Sequence, residues 1–144
     1  MEDDIFNIDP INLNDSFVRL PGDLAYAGAL YRDAVKNYLV SKRDFQIREA
    51  EIRLRTRARL KSEGSKITES IVEATVLTNP AWAEAKQQYI EAEAEMTGAK
   101  LKIEAIKAKR DMLIQMGAQY REEMKADPQI RSAAAARFTS QFED

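Results

Sequence analysis

Apolar side chains recur every seven residues along two stretches of the chain. In the first, Leu24, Tyr31, Tyr38, Phe45 and Ile52 form a series, with Ala27 and Ala34 at intermediate positions and Val35 beside them. In the second, Trp82, Tyr89, Met96, Ile103, Arg110, Gly117 and Met124 interleave with Ala85, Ala92, Ala99, Ile106, Leu113 and Tyr120 at spacings of three and four. That spacing keeps one side of an α-helix against a partner helix. It predicts one helix beginning after Pro21-Gly22, with Asp23 as its N-cap, and a second over about Trp82 to Met124. Many seam positions of the second helix are Ala, so its partner should approach closely.

The stretches between are short. From Ile52 to Lys61 the sequence IRLRTRARLK alternates with a period of two, the period of a strand. Arg, Leu and Ala are good helix formers, and no partner strand is evident, so the first helix is expected to continue to about Ser62. Glu63-Gly64-Ser65 should end it, with Gly64 at the C-cap. Thr68 can cap a short helix with Ile71, Val72, Thr75 and Val76 on its inner face. The β-branched content of Ile67 to Leu77 leaves a strand open. Asn79-Pro80 signals a turn or a helix start, and Asp127-Pro128 a helix end. Residues 1–21, bracketed by Pro10 and Pro21, read as an extended arm whose Phe17 and Leu20 are available for docking. Residues 127–144 read as a tail with a short Ala-rich helix, in which Ile130, Phe138 and Phe142 share one side.

The expected fold is therefore all-α. A long, coiled-coil-like antiparallel hairpin over 22–126 carries a short intervening element. Its expected seam holds Tyr31, Tyr38, Phe45, Ile52, Trp82, Tyr89, Met96, Ile103, Ile106, Leu113 and Tyr120. Two helices bury little surface by themselves, so a homo-oligomer joined through Phe17, Leu20, Ile130, Phe138 and Phe142 is expected.

Composition supports helices and narrows the chemistry. Ala, Glu, Lys, Leu and Arg make up about 47% of the 144 residues, against 5 Gly and 4 Pro. With no Cys and no His there is no disulfide, no thiolate or imidazole metal ligand, and no nucleophile–histidine pair. Gly64-Ser65-Lys66 lacks the upstream glycine of a phosphate loop, and Glu91, Glu93 and Glu95 point to different sides of a helix. No enzyme activity, cofactor or metal is expected. The acidic start, Glu2-Asp3-Asp4, is unlike a signal peptide, and no segment is apolar for a membrane span, so a cytoplasmic location is expected.

The formal net charge of −2 conceals blocks. Residues 42–66 carry +5 and residues 99–126 carry +3, separated by −5 over residues 67–98. The first basic block holds Lys42, Arg43, Arg48, Arg53, Arg55, Arg57, Arg59, Lys61 and Lys66; the second includes Lys100, Lys102, Lys107, Lys109 and Arg110. On a helix Arg53 and Arg57 share one face and Arg55 and Arg59 another. A guanidinium binds two phosphate oxygens at once, so this block is a candidate track for a nucleic-acid backbone. The opposite reading pairs it with the acidic block, within the hairpin or between subunits.

The order of a basic helix, a glycine break, KITESIVEATVLTNPAW (Lys66 to Trp82) and a long helix ending in KAKRDMLIQMGAQYREE resembles the UvsY-type recombination mediators of phages. The family's Lys-x-x-Glu element and aromatic turn would correspond to Lys66, Glu69, Asn79 and Trp82. The resemblance spans about residues 24–124 and leaves both termini outside it. It implies a ring-like homo-oligomer that binds single-stranded DNA, contacts a phage recombinase and a single-strand binding protein, and helps displace the latter so that the recombinase can load. In that case Arg53 to Lys61 would line the DNA track. The rival expectation is a phage scaffold or host-protein inhibitor that oligomerises through helical seams without binding nucleic acid.

Overall fold

The structure, a computed structural model, describes residues 5–129 and 132. Three helices follow one another: α1 (Leu13–Ser62), α2 (Glu69–Leu77) and α3 (Pro80–Ala126), with no strand among the described residues. The chain divides into two compact units, one of Met1–Ala25 with Glu104–Asp144 and the other of Tyr26–Ile103. Both long helices contribute to both. In each unit the α1 and α3 segments pack antiparallel: Tyr38 meets Tyr89 and Phe45 meets Trp82 in one, and Phe17 meets Gly117 in the other. No helix of the described residues is long and apolar enough to cross a membrane.

Helix α1 starts at Leu13, ten residues before the expected cap Asp23, and carries Pro21 in its interior. A proline there removes one backbone hydrogen bond and costs about 3 kcal/mol in an isolated helix. Burial outweighs it: Ser16 and Leu20 on this turn are buried, and the Phe17 ring lies against Gly117. Residues 13–21 are thus helix and not an extended arm. Leu20 is buried within its own chain, whereas the Phe17 ring lies against Gly117 and remains 37% exposed. Ile130, Phe138 and Phe142 lie outside the described residues.

At its other end α1 continues through the alternating segment, as expected, because Ile52, Thr56 and Leu60 fall four residues apart on one buried line. Gly64, at φ 69°, closes the helix. The Ser65 N–H donates to the Leu60 carbonyl at 3.1 Å and the Gly64 N–H to the Lys61 carbonyl at 3.2 Å, the two bonds of a Schellman cap. Residues 69–77 are helix rather than strand. The Ile71 N–H donates to the capping Thr68 hydroxyl at 3.3 Å. Val72 and Val76 are fully buried with Ile52 and Leu60, and Trp82 packs against this cluster. Ile71, expected on the inner face, is 43% exposed, because the nine-residue helix turns only the Val72–Val76 line inward.

The seam holds at Tyr38, Phe45, Ile52, Trp82, Tyr89, Ile106 and Leu113, and Tyr31, Met96 and Ile103 are half-buried along it. Two positions depart from it. Tyr120 is 56% exposed, since it lies nearly one turn beyond Gly117, where α1 is close to its first residue. Lys109, rather than the heptad residue Arg110, turns inward. It is only 6% exposed, and its Nζ donates to the Ile5 carbonyl at 2.6 Å, tying the N-terminal segment to α3.

The two glycines should respond oppositely to alanine. A Cβ on Gly117 would sit 3.7 Å from the Phe17 ring, an ordinary contact, so Gly117→Ala is expected to stabilise by about 1 kcal/mol through helix propensity. Gly64→Ala would place a Cβ on a left-handed residue and is expected to destabilise by about 1 kcal/mol. Urea midpoints of the two variants check this; movement in the same direction would contradict the cap geometry.

Candidate nucleic-acid interface

The basic block of α1 is divided by helical geometry. Arg53 and Arg57 lie on the side that faces α2. The Arg57 Nη2 donates to Glu69 Oε1 at 2.6 Å, and Arg53 lies 3.7 Å from both Glu73 and Glu49. Glu69 occupies the first turn of α2, where a carboxylate also complements the helix dipole. These two arginines therefore answer part of the acidic block within the same chain.

Arg48, Arg55 and Arg59 lie at i, i+7 and i+11, a nearly straight line on another side of α1. They line a cavity of about 170 Å³ together with Thr56, Asn79 and Ala81. Arg48 and Arg59 have loose partners nearby in sequence, Glu51 at 3.7 Å and Glu63 at 3.8 Å. Arg55 has no ion pair among the described residues. Exposed pairs of this kind contribute roughly 0–1 kcal/mol, so they leave the guanidiniums open to exchange. Lys42, Lys61 and Lys66 are exposed on the same unit, and Arg43 sits 3.3 Å from its neighbour Asp44. Of the second basic block, Lys109 is withdrawn by its bond to Ile5, while Lys100, Lys102, Lys107 and Arg110 remain exposed.

An aromatic cluster lies between α1 and α3 in the same unit. Phe45 stacks on Tyr89 at 5.6 Å and meets Trp82 edge-on at 5.9 Å, and Tyr38 stacks on Tyr89 at 5.7 Å. The Trp82 indole N–H donates to Glu49 Oε2 at 2.8 Å, and Lys86 Nζ sits 5.0 Å above Phe45 and 4.9 Å above Tyr89. These rings are engaged with one another along the helix pair. Base stacking on them would require that packing to open, so any nucleic-acid contact falls to the cations. The sequence marks Asn79 as a turn residue and as part of the resemblance, but it does not single out Thr56, whose one signal is the four-residue spacing of Ile52, Thr56 and Leu60, hidden by the alternating arginines.

The Tyr89 phenol is held above its ordinary value of 10, first by the hydrogen bond it shares with Tyr38 at 3.4 Å, then by partial burial, then by the charges of Tyr38 and Glu93. Stability from this neutral pair is present below pH 10 and is lost as pH rises through the raised value. An alkaline ultraviolet titration should show one phenol ionising late, with that step absent in Tyr89→Phe. A wild-type curve without a late step would contradict the pairing.

No protein-family model matches the chain, and no curated protein or solved structure matches it either.

Proposed function

We propose that the chain is a non-enzymatic recombination mediator that binds single-stranded DNA and helps load a recombinase by displacing a single-strand binding protein. The observation that carries the DNA-binding part is the line of Arg48, Arg55 and Arg59, turned away from the acidic residues of α2 that engage Arg53 and Arg57. Cations presented in a row suit a flexible polyanion, which binds them through its backbone with strong salt dependence. The loading role, the recombinase and the single-strand binding protein come from the resemblance to UvsY-type mediators, carried by Lys66, Glu69, Asn79 and Trp82. A ring-like homo-oligomer would repeat the row of arginines into a track.

The test is fluorescence anisotropy of a labelled single-stranded oligonucleotide at two salt concentrations, on protein whose mass is measured by light scattering. Salt-sensitive binding by a multimer is expected. A multimer that fails to bind at low salt overturns the reading.

A second reading draws on a different face. Val40, Ile47 and Leu54 recur every seven residues on α1 and are all exposed. A heptad line of exposed apolar residues favours helix-on-helix association, as in a scaffold or an inhibitor of a host protein. In that case the multimer forms without DNA affinity.

A further inference from the structure

We infer that the cavity lined by Arg48, Arg55, Thr56 and Arg59 is a binding site for one phosphate group. The inference rests on the DNA-binding reading for its biological source of phosphate, but the site itself stands on separate features. At about 170 Å³ the cavity has room for a single tetrahedral oxyanion. Three arginines line it, and one of them, Arg55, has no ion pair among the described residues.

Thr56 supplies the second, independent observation. The residue is 6% exposed, yet its hydroxyl makes no hydrogen bond, unlike those of Thr75 and Thr97, which donate to carbonyls one turn back. No buried side-chain oxygen among the described residues is sealed off without a partner, so the Thr56 hydroxyl opens onto the cavity that it lines. A hydroxyl that no protein group engages and that opens onto this space is free to donate to an oxyanion bound there.

The surroundings agree in sign. Asn79 and Ala81, at the start of the 47-residue helix α3, form the opposite wall, where the helix dipole is positive. The Ala81 N–H is already held by Asn79 Oδ1 at 2.9 Å, and Pro80 has none. The helix end therefore contributes field, while the guanidiniums and Thr56 contribute the donors. No carboxylate lines the cavity.

The phosphate could be a diester of a DNA backbone or a free phosphate, and the test separates them. Trp82, the one tryptophan of the chain, lies one residue beyond Ala81, so its fluorescence reports on the cavity. The full chain is titrated with sodium phosphate against sodium chloride at matched ionic strength, by calorimetry and by this fluorescence. The same proteins are titrated with an oligothymidylate bearing hydroxyl ends. Thr56→Val and Arg55→Gln are compared with Thr56→Ser, which keeps the hydroxyl, and with Arg57→Gln, which lies outside the cavity.

The expected result is one phosphate per chain. Binding should weaken about tenfold in Thr56→Val and at least tenfold in Arg55→Gln, and be retained in Thr56→Ser and Arg57→Gln. Competition between phosphate and the oligonucleotide supports the site with the DNA backbone as its source. Phosphate binding lost in Thr56→Val, with oligonucleotide affinity absent or unchanged, supports the site with free phosphate as its source. Oligonucleotide binding without phosphate binding, or phosphate binding indifferent to Thr56 and Arg55, overturns the site and leaves the DNA reading standing. Binding of neither overturns both.

Discussion

Changing Arg48, Arg55 and Arg59 together to Gln is expected to lower affinity for single-stranded DNA by about 100-fold at low salt. Each charged hydrogen bond to a phosphate has a net worth of at least about 1 kcal/mol, and three are removed. The salt slope should also become shallower by about 2, since each phosphate contact on a single strand adds roughly 0.7. Arg53→Gln with Arg57→Gln changes the charge by a similar amount but removes the bridges to Glu69, Glu73 and Glu49. That pair should cost DNA affinity only a few fold, through the general field, and stability up to about 1 kcal/mol. Anisotropy at two salt concentrations, with circular dichroism melts of both variants, checks the contrast. Equal losses of affinity in the two variants would mean that the division of the arginines has no bearing on DNA.

The largest loss of stability is expected from Leu113→Ala. Leu113 has 0% exposure and sits on the same side of α3 as the buried Ile106 and Lys109. Truncation leaves a cavity between elements that cannot collapse freely, which costs about 3 kcal/mol and should lower the melting temperature by about 10 °C. Tyr120→Ala, seven residues further along the same heptad series, should stay within about 0.5 kcal/mol because the ring is already exposed. Equal effects at the two positions would mean that the seam extends to Tyr120 after all.

The contrast between Leu113 and Tyr120 also marks how far the sequence could be read. Periodicity assigns both to one seam, because a heptad pattern records which side of a helix a residue occupies. It does not record where the partner helix ends. That end depends on Leu13 as the first residue of α1, and Pro21 concealed it. The same limit applies to the arginines. Spacing places Arg53 with Arg57 and Arg55 with Arg59, as the structure has them. Which pair meets α2 depends on Val72 and Val76 docking onto Ile52 and Leu60, a packing choice made after the chain turns at Gly64.

What the sequence determined by itself was local. The helix at residues 23–62, its stop at Gly64, the close of α3 at Asp127 and the meeting of Tyr38, Phe45, Trp82 and Tyr89 all follow from effects acting over a few residues or from apolar periodicity, whereas the sequence leaves residues 67–77 open between helix and strand. What only the tertiary structure decided was set by contacts between distant residues. Phe17 against Gly117 and Lys109 bonded to Ile5 accompany a helix that runs through Pro21, against its local cost. The Ile52–Val72 packing separates two arginine faces that composition treats as one. Local propensities amount to a few tenths of a kcal/mol to about 3 kcal/mol each. Burial of several side chains together exceeds them, and its direction is known only when both partners are in place.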